Sequence, residues 1–395
     1  MELLPWGTDS NLTDSQFFNR VDEINILTNL LNTTATSSPP SIMLSGFRGV
    51  GKTALLKKIK KELESDYLIN YIDLTKSYHY QTDQLNEVNL MQFLYKTWIE
   101  CSKEKGFNTT IEQIKKIIKT KNIKIENLLD FGGFPVPIPE TKDNKSEIID
   151  FVLDLPQRLY ENHAKNIKGV ITIIDEFQIL KDLRKGLDGV LWLFRSFIQN
   201  QKNVAYIFSG SMNSKDEIIE KTAGKSGAFG GRMLSVEIHP FSKKTCEKYL
   251  NKKVPSLKFK DEGFNRFYSC TKGIPFYINT FAKILPKDYP LNDEDVKKEF
   301  TNALPFLADH LKQQWGRLKL FEQTILTLLV DKPLKRIEIA KKLNKSSNSL
   351  SRTLNSLLKT GFLVNDSGKY EIYEPIFKLW LKHEYEKNGV FPFKS

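Results

Sequence analysis

Eight residues from Gly46 to Thr53 have the types and spacing needed to hold a phosphate chain. They read Gly-Phe-Arg-Gly-Val-Gly-Lys-Thr and stand between an apolar run at 42–44 and a helix-forming stretch, the context that the G-x-x-x-x-G-K-[ST] motif requires. Glycines allow successive backbone N–H groups to surround phosphate oxygens, and the helix N-terminus adds partial positive charge. The sequence therefore predicts a nucleoside triphosphate site, with Lys52 on the β- and γ-phosphate oxygens and Thr53 on Mg²⁺. The residues predicted to surround the phosphates are Gly46, Phe47, Arg48, Gly49, Val50, Gly51, Lys52, Thr53 and Ala54.

A second set of candidates ends the largely apolar run at 169–174, which Asp175 and Glu176 follow directly. Such a run is typical of a buried parallel strand, whose carboxyl end lies at the ligand-binding edge of a sheet. Asp175 is predicted to hold the Mg²⁺ shell, and Glu176 to orient and deprotonate the attacking water. Gln178 is a further polar candidate in the same pocket. The alternative is that the two acids merely cap the strand.

Hydroxyl and guanidinium groups follow two later segments. The apolar run 204–208 leads to Ser209 and Ser211, which are candidates to read the γ-phosphate; the alternative is local capping of the next turn. Arg232 follows two glycines, a setting that suits an arginine stabilising charge on a transferring phosphoryl group, from the same or a neighbouring subunit. A structural salt bridge is the alternative for Arg232.

Composition restricts the class of protein. With 40% hydrophobic and 11% aromatic residues among 395, the chain can bury ordinary cores in two or three domains. Three cysteines and five histidines are scattered, which predicts a reducing compartment, no structural zinc and no side-chain metal cluster. The first residues lack a leader pattern and no eighteen apolar residues run together, so we expect a cytoplasmic protein without membrane association. The net charge of +12 suits a polyanionic partner, but lysine-rich solvated faces explain it equally well.

The order of elements predicts an α/β fold on a parallel sheet. A short helix around 24–31 precedes the first strand, and the strand-like run 67–74 follows the helix after the phosphate motif. Strand, helix and strand in this order indicate parallel pairing. We expect an insertion over about 77–145, because helical patterns at 90–99 and 111–118 precede a proline-broken apolar stretch at 131–139 that is unsuited to a central strand. The insertion is either a hairpin or extended loop near the nucleotide, or a surface that binds a protein partner.

A group of short helices is predicted after residue 240. One opens at Ser242 and runs through Leu250, another covers Phe264–Tyr268, and a third runs from Asp293 to Ala303 and stops before Pro305. These patterns indicate a small helical lid.

The C-terminal segment has the order helix, helix, helix and hairpin that is typical of a winged helix-turn-helix. The predicted helices cover 321–330, 337–343 and 347–358, the hairpin covers 362–373, and a closing apolar helix covers 375–381. The third helix is predicted to enter the major groove of double-stranded DNA. Its candidate contacts are Asn348, Ser349, Arg352 and Asn355. A protein-interaction or autoinhibitory role is the alternative for this segment.

These motifs together resemble the archaeal ATPase family, in the AAA+/STAND branch of P-loop ATPases. The likeness follows one order along nearly the whole chain and rests on the segments 18–23, 46–53, 175–178, 209–211, 231–232, 238–242 and 273–275. It implies an ATPase core over 1–240, a helical lid over 241–317 and a winged helix over 318–395. The fold expected is therefore a P-loop NTPase sheet with lid and winged helix.

The resemblance also implies roles for individual residues. Ser211 becomes a candidate first sensor, Arg232 the charge-stabilising arginine, and Arg20 a residue of the nucleotide site. Pro275, in Gly-Ile-Pro, is implied to contact the nucleotide base. A plain turn after the helix near Tyr268 is the alternative for Pro275.

The leading hypothesis is a switch that binds and hydrolyses Mg-ATP, with the winged helix transmitting the nucleotide state to DNA or a protein. A second hypothesis is a DNA-binding initiator or regulator in which ATP is mainly structural. A third, a scaffold with vestigial nucleotide binding, is disfavoured by the intact Lys52, Asp175 and Glu176. ATP rather than GTP is implied by the resemblance, and the lack of an N-K-x-D motif after Glu176 agrees with it. The sequence does not predict the oligomeric state.

Overall fold

The computed structural model describes residues 4–5, 11–107, 128–130, 135–137, 144–211 and 217–393. A parallel sheet forms the centre of the part up to residue 240. The strands in this part are β1 (Ser41–Ser45), β2 (Tyr67–Asp73), β3 (Leu128–Asp130), β4 (Pro135–Pro137), β5 (Gly169–Asp175), β6 (Val204–Ser209) and β7 (Leu234–Glu237). Five of them form one sheet in the order β2-β5-β6-β1-β7, and every neighbouring pair is parallel. The predicted α/β fold on a parallel sheet is confirmed.

Helices cover both faces of this sheet. They are α1 (Val21–Asn32), α2 (Lys52–Leu63), α3 (Tyr78–Gln81), α4 (Glu87–Glu104), α5 (Asn144–His163), α6 (Leu187–Ile198) and α7 (Glu217–Ala223). The face under α1 and α2 buries one apolar cluster, and the face under α4, α5 and α6 buries a larger one. All seven residues of β5 are buried, as parallel strands covered on both faces require.

The predicted insertion is only partly within the described residues. Its helical pattern at 90–99 is confirmed by α4, whereas the pattern at 111–118 lies outside them. Of the proline-broken stretch, Pro135–Pro137 pairs antiparallel with Leu128–Asp130 as a separate two-stranded sheet. This agrees with the hairpin alternative and keeps these prolines out of the central sheet.

The lid segment is helical, as predicted. Its helices are α8 (Lys243–Lys253), α9 (Asp261–Thr271), α10 (Pro275–Ile284), α11 (Asp293–Leu307) and α12 (Asp309–Arg317). Ser242 caps α8, since its side chain accepts a hydrogen bond from the Thr245 amide at 3.1 Å. The predicted end of α11 before Pro305 is wrong, because the helix continues to Leu307. Leu304 and Leu307 are buried on either side of the proline, and this packing offsets the missing backbone hydrogen bond.

The C-terminal segment contains α13 (Leu320–Leu328), β8 (Leu334–Lys335), α14 (Arg336–Lys342), α15 (Ser351–Lys359), β9 (Leu363–Asp366), β10 (Lys369–Ile372) and α16 (Pro375–Asn388). The hairpin β9-β10 is confirmed, and its turn residues Ser367 and Gly368 both have positive φ, as a type I′ turn requires. The short strand β8, which adds to the hairpin, is not predicted by the sequence analysis. The predicted third helix is broken, since 347–350 form a 3₁₀ turn before α15.

The lid and the C-terminal segment share one continuous apolar cluster that runs from Phe241 to Leu381. The boundary near residue 317 therefore stays a prediction, although the order of elements on either side agrees with it. No helix in the described part of the chain is long and apolar enough to cross a membrane.

Arg20 joins α1, the loop before α2 and the segment that leaves β7. It is 6% exposed, and its guanidinium donates to the Val50 carbonyl at 3.0 Å and to the His239 carbonyl at 2.7 Å. The same group forms an ion pair with Glu23 at 2.8 Å and lies 5.0 Å from the centre of the Phe241 ring. The guanidinium of Arg20 thus donates its hydrogen bonds to protein groups. A direct contact between Arg20 and the nucleotide stays a prediction.

We expect Arg20→Ala to lower the free energy of unfolding by about 2–4 kcal/mol, because it leaves buried carbonyls and Glu23 without their donor. Chemical denaturation followed by circular dichroism measures this. Arg158→Ala is the matched control, since among the described residues Arg158 pairs with Asp154 alone, one helical turn away, and its loss should change stability little. Equal losses in the two variants would contradict the role given to Arg20.

Candidate active site

The strand order places three sequence motifs at one edge of the sheet. β6 lies between β5 and β1, and the register pairs Leu44 with Ser209 and Ile174 with Phe208. The carboxyl ends of the three strands are therefore adjacent, and the loops after them face a common space. Ligands of open parallel sheets bind at this edge.

The loop between β1 and α2, residues 46–51, has glycines where side chains would collide with neighbouring elements. A Cβ at Gly46 would lie 2.5 Å from the Ile238 carbonyl oxygen, and a Cβ at Gly49 would lie 2.4 Å from the Phe276 Cβ. The Phe276 amide also donates to the Gly49 carbonyl at 3.1 Å. The lid thus contacts the phosphate loop directly, through the first turn of α10.

Lys52 is the best-buried cation of the site, at 6% exposed. Its Nζ donates to the carbonyls of Gly46 and Phe47, both at 2.9 Å, and lies 3.4 Å from the Ser211 Oγ. Burial lowers the pKa of Lys52 to about 8, against the opposing effect of Glu176 and Asp175. The ammonium is held among backbone oxygens, at the place where a phosphate would give it a full countercharge.

Asp175 is 2% exposed and is held by three donors. Its Oδ2 accepts from the Thr53 hydroxyl at 2.7 Å and from the Tyr71 hydroxyl at 2.5 Å, while its Oδ1 accepts from the Glu176 amide at 3.0 Å. Tyr71, on β2, is a candidate residue of the site that the sequence analysis missed, because nothing in its local pattern separates it from an ordinary strand tyrosine. Its hydroxyl and that of Thr53 both hold the Oδ2 atom, and together they fix the orientation of the carboxylate.

Glu176 follows directly, with a φ of 56° that non-glycine residues rarely adopt. The side chain is half-buried, and burial together with the neighbouring Asp175 raises its pKa, although a hydrogen bond from Gln178 opposes this. The Gln178 amide donates to Glu176 Oε2. A carboxylate with a raised pKa that is oriented by an amide suits a general base.

The remaining predicted catalytic residues lie in different surroundings. Ser211 is close to Lys52, whereas the Ser209 hydroxyl is fully buried and has no hydrogen-bond partner in the described part of the chain. Arg232 is exposed in the glycine turn before β7 and does not line the cavity described next. Its role as a charge-stabilising arginine stays a prediction.

A cavity of about 430 Å³ opens between these core residues and the C-terminal segment. Arg48, Glu176, Gln178 and Ser211 line it from the core. Arg317, Glu322, Tyr373 and Glu374 are among the residues that line it from the other side. Neither Arg48 nor Arg317 forms a hydrogen bond or ion pair with another described residue. Two arginines that no described side chain pairs with, lining one cavity with the candidate base, favour an anionic ligand here.

The predicted base contact and the predicted DNA contacts lie away from this cavity. Pro275 is the first residue of α10, after Gly273 at φ 71°, and this turn brings it next to the phosphate loop; contact with a nucleotide base stays a prediction. The candidate DNA residues at 348, 349, 352 and 355 are all exposed.

The residues present fit a magnesium nucleotide. The side-chain oxygens of Thr53 and Asp175 lie 2.7 Å apart, and hydroxyl and carboxylate oxygens are ligands that Mg²⁺ prefers. The amide-lined loop, the buried ammonium and the helix N-terminus form the complementary anion site. This fold and this site together define a P-loop ATPase.

Comparison with known proteins identifies the family. The family model described as an ATPase domain predominantly from Archaea matches residues 17–281, about two thirds of the chain, and the chain belongs to this family. The predicted resemblance and the ATPase class are thereby confirmed. Comparison with curated protein sequences gives no match.

Two solved structures are similar to this chain. The Walker-type ATPase PABY2304 of Pyrococcus abyssi is similar with a TM-score of 0.64 and 18% identity, over 95% of this chain and 99% of that chain. Cdc6p from Pyrobaculum aerophilum is similar with a TM-score of 0.43 and 12% identity, over 96% of this chain and 98% of that chain. At these identities the likeness to PABY2304 concerns the fold alone.

The lowered pKa of Lys52 predicts how nucleotide affinity depends on pH. Phosphates bind the charged ammonium, and the nucleotide-free side chain loses its proton as pH rises through about 8. Affinity for Mg-ATP should therefore weaken above that pH, by roughly tenfold per unit. Titration with a fluorescent ATP analogue between pH 7 and 9.5 measures this.

The control is Lys52→Arg, whose guanidinium stays charged over the same range. Its affinity, whatever its absolute value, should be flat with pH. A flat profile for the wild-type protein would show that Lys52 keeps its proton and would contradict the prediction.

Proposed function

We propose that this ATPase is a nucleotide-dependent switch that hydrolyses Mg-ATP and is coupled through a C-terminal winged helix to double-stranded DNA. The observation that carries the proposal is the shared cavity, because the candidate base and the C-terminal segment line the same space. A change at the phosphate end of the nucleotide would therefore alter the surroundings of both the candidate base and the C-terminal segment.

In the proposed mechanism, backbone amides of the phosphate loop and Lys52 bind the triphosphate. Thr53 and Asp175 would hold Mg²⁺, which when bound neutralises charge on the β- and γ-phosphates. Glu176 accepts a proton from the attacking water, and Gln178 keeps its carboxylate oriented toward that water. Ser211, beside Lys52, is placed to contact the terminal phosphate, and the cavity arginines to offset the charge that develops on it.

Coupling to DNA is supported by charge and exposure. Between Lys332 and Lys369 the sequence has nine lysines and arginines but only two carboxylates. Asn348, Arg352 and Asn355 are spaced four and three residues apart, so they share one exposed side of the 3₁₀ turn and α15. Amide and guanidinium groups are those that read base edges and phosphates.

The alternative is a protein partner, either at this segment or at the insertion over about 77–145. A regulator with mainly structural ATP is a further alternative. The two experiments below separate these cases.

Glu176→Gln should lower the rate of phosphate release from Mg-ATP by at least about 100-fold while nucleotide binding is retained, because it removes the proton acceptor and keeps the side-chain shape. Glu220→Gln, on the core helix α7, is the matched control and should keep full activity. Wild-type binding without hydrolysis would instead favour the structural role of ATP. Undiminished hydrolysis in Glu176→Gln would assign the base elsewhere.

Arg352→Ala should weaken binding of a fluorescent DNA duplex by about 1–3 kcal/mol, with a smaller salt dependence, because a phosphate or base contact is lost. Fluorescence anisotropy at two salt concentrations measures both effects. Lys382→Ala, which removes the same charge from α16, should bind as the wild type does. DNA binding that is unaffected by Arg352→Ala, or absent in the wild type, would direct the search to a protein partner.

A further inference from the structure

The residues that lead into α16 are docked on the phosphate loop. The ring of Tyr373 stacks on the ring of Phe47 with centroids 4.5 Å apart and planes inclined by 17°. Phe47 belongs to the phosphate loop itself, so the chain enters α16 in contact with a side chain of this loop. Glu374, the next residue, caps α16.

Glu374 places a carboxylate in this interface. It is half-buried, lines the same cavity as Arg48 and Glu176, and accepts a hydrogen bond from the Tyr277 hydroxyl of the lid at 3.3 Å. Core, lid and C-terminal segment thus meet at one acidic side chain.

The charges around Glu374 belong to the phosphate site. Burial raises its pKa to about 7, while hydrogen bonds and the cations Arg48 and Lys52 act in the opposite direction. Both cations are in the motif that binds phosphates. The carboxylate therefore shares the positive field that the terminal phosphate of a nucleotide would enter.

We propose that Glu374 senses the terminal phosphate, so that ATP but not ADP disfavours docking of the C-terminal segment on the phosphate loop. This inference rests on the proposed ATP-dependent switch and names the residue that couples its two parts. A γ-phosphate takes over the attraction of Arg48 and Lys52 and repels the nearby carboxylate. ADP lacks that group and leaves the contact intact.

The coupling is reciprocal by linkage. If ATP disfavours docking, then docking weakens ATP binding by the same factor, whereas ADP affinity is unaffected. Removing the charge of Glu374 should therefore tighten ATP binding selectively. This selectivity separates a sensor from a residue that merely holds the interface together, whose loss would change both affinities or neither.

The test compares binding of Mg-AMPPNP and Mg-ADP by calorimetry at pH 8, where Glu374 is mostly ionised, to the full-length wild type and to Glu374→Gln. Glutamine keeps the size of the side chain and an oxygen for the Tyr277 hydroxyl. We expect about tenfold tighter binding of Mg-AMPPNP in Glu374→Gln, and Mg-ADP affinity within twofold of the wild type. Glu386→Gln, an exposed position on the same helix, is the matched control and should change neither affinity.

A second readout follows docking itself. Spin labels at Glu100→Cys and Lys369→Cys, both exposed, report the distance between α4 of the core and the hairpin in a Cys101→Ser background. In the wild-type sequence Mg-AMPPNP should shift the distance distribution relative to Mg-ADP, and Glu374→Gln should abolish most of this shift.

The outcomes separate the two proposals. An unchanged ratio of the two affinities in Glu374→Gln, or a nucleotide-dependent distance that persists in it, would overturn the sensor role and leave the ATPase switch standing. A wild-type protein that binds neither nucleotide would overturn the switch and the sensor together.

Discussion

An ammonium group buried at the edge of a parallel sheet is the constraint on which this site depends. Lys52 gives up most of its hydration, and backbone carbonyls of its own loop replace part of that lost stabilisation. The glycine loop must close tightly for those carbonyls to reach Nζ, and β7 and the lid must lie close on either side of it. Burial lowers the pKa of Lys52, and the carboxylates that raise it again come from the end of β5. The strands β5, β6 and β1 must therefore be adjacent. A phosphate group is the anion that this arrangement of charge and backbone is suited to bind.

The site is composite, and this accounts for its chemistry. The core alone supplies the phosphate loop, the metal-side acid and the candidate base. The lid adds a backbone hydrogen bond to Gly49, and the C-terminal segment adds Glu374 and a ring stacked on Phe47. Arg317 and Glu374 line the cavity from outside the core. A ligand in the cavity would therefore act directly on the lid and on the C-terminal segment.

Local motifs explain what the sequence predicted well. The phosphate loop and the Asp175-Glu176 pair are short, contiguous and bound to a strand end, so their types and spacing specify both position and chemistry. The hairpin at 363–372 was predictable for the same reason, since its turn residues match the backbone that the turn requires. The fold class followed from strand and helix order alone.

The remaining features depend on residues far apart in the chain. Tyr71 lies 104 positions from Asp175, and its role follows only from the pairing of β2 with β5. In the sequence Glu374 resembles an ordinary helix cap, and only the stacking of its neighbour Tyr373 on Phe47 shows that it lies beside the phosphate loop. Arg20 was expected at the nucleotide, yet its guanidinium is used by protein carbonyls. Pro305 shows the converse, since packing of Leu304 and Leu307 overrode a local helix-breaking signal.

The crossing from the sheet to the lid has a mechanical consequence. Arg20 holds the His239 carbonyl to the core, and the Phe241 amide donates to the Gly273 carbonyl of the lid at 2.8 Å. Only Pro240 lies between these two fixed points, and its ring locks φ. Rotation of the lid about the core is thereby confined to very few backbone torsions. Because the lid and the C-terminal segment share one apolar cluster, a hinge at this proline would turn both as a single rigid arm.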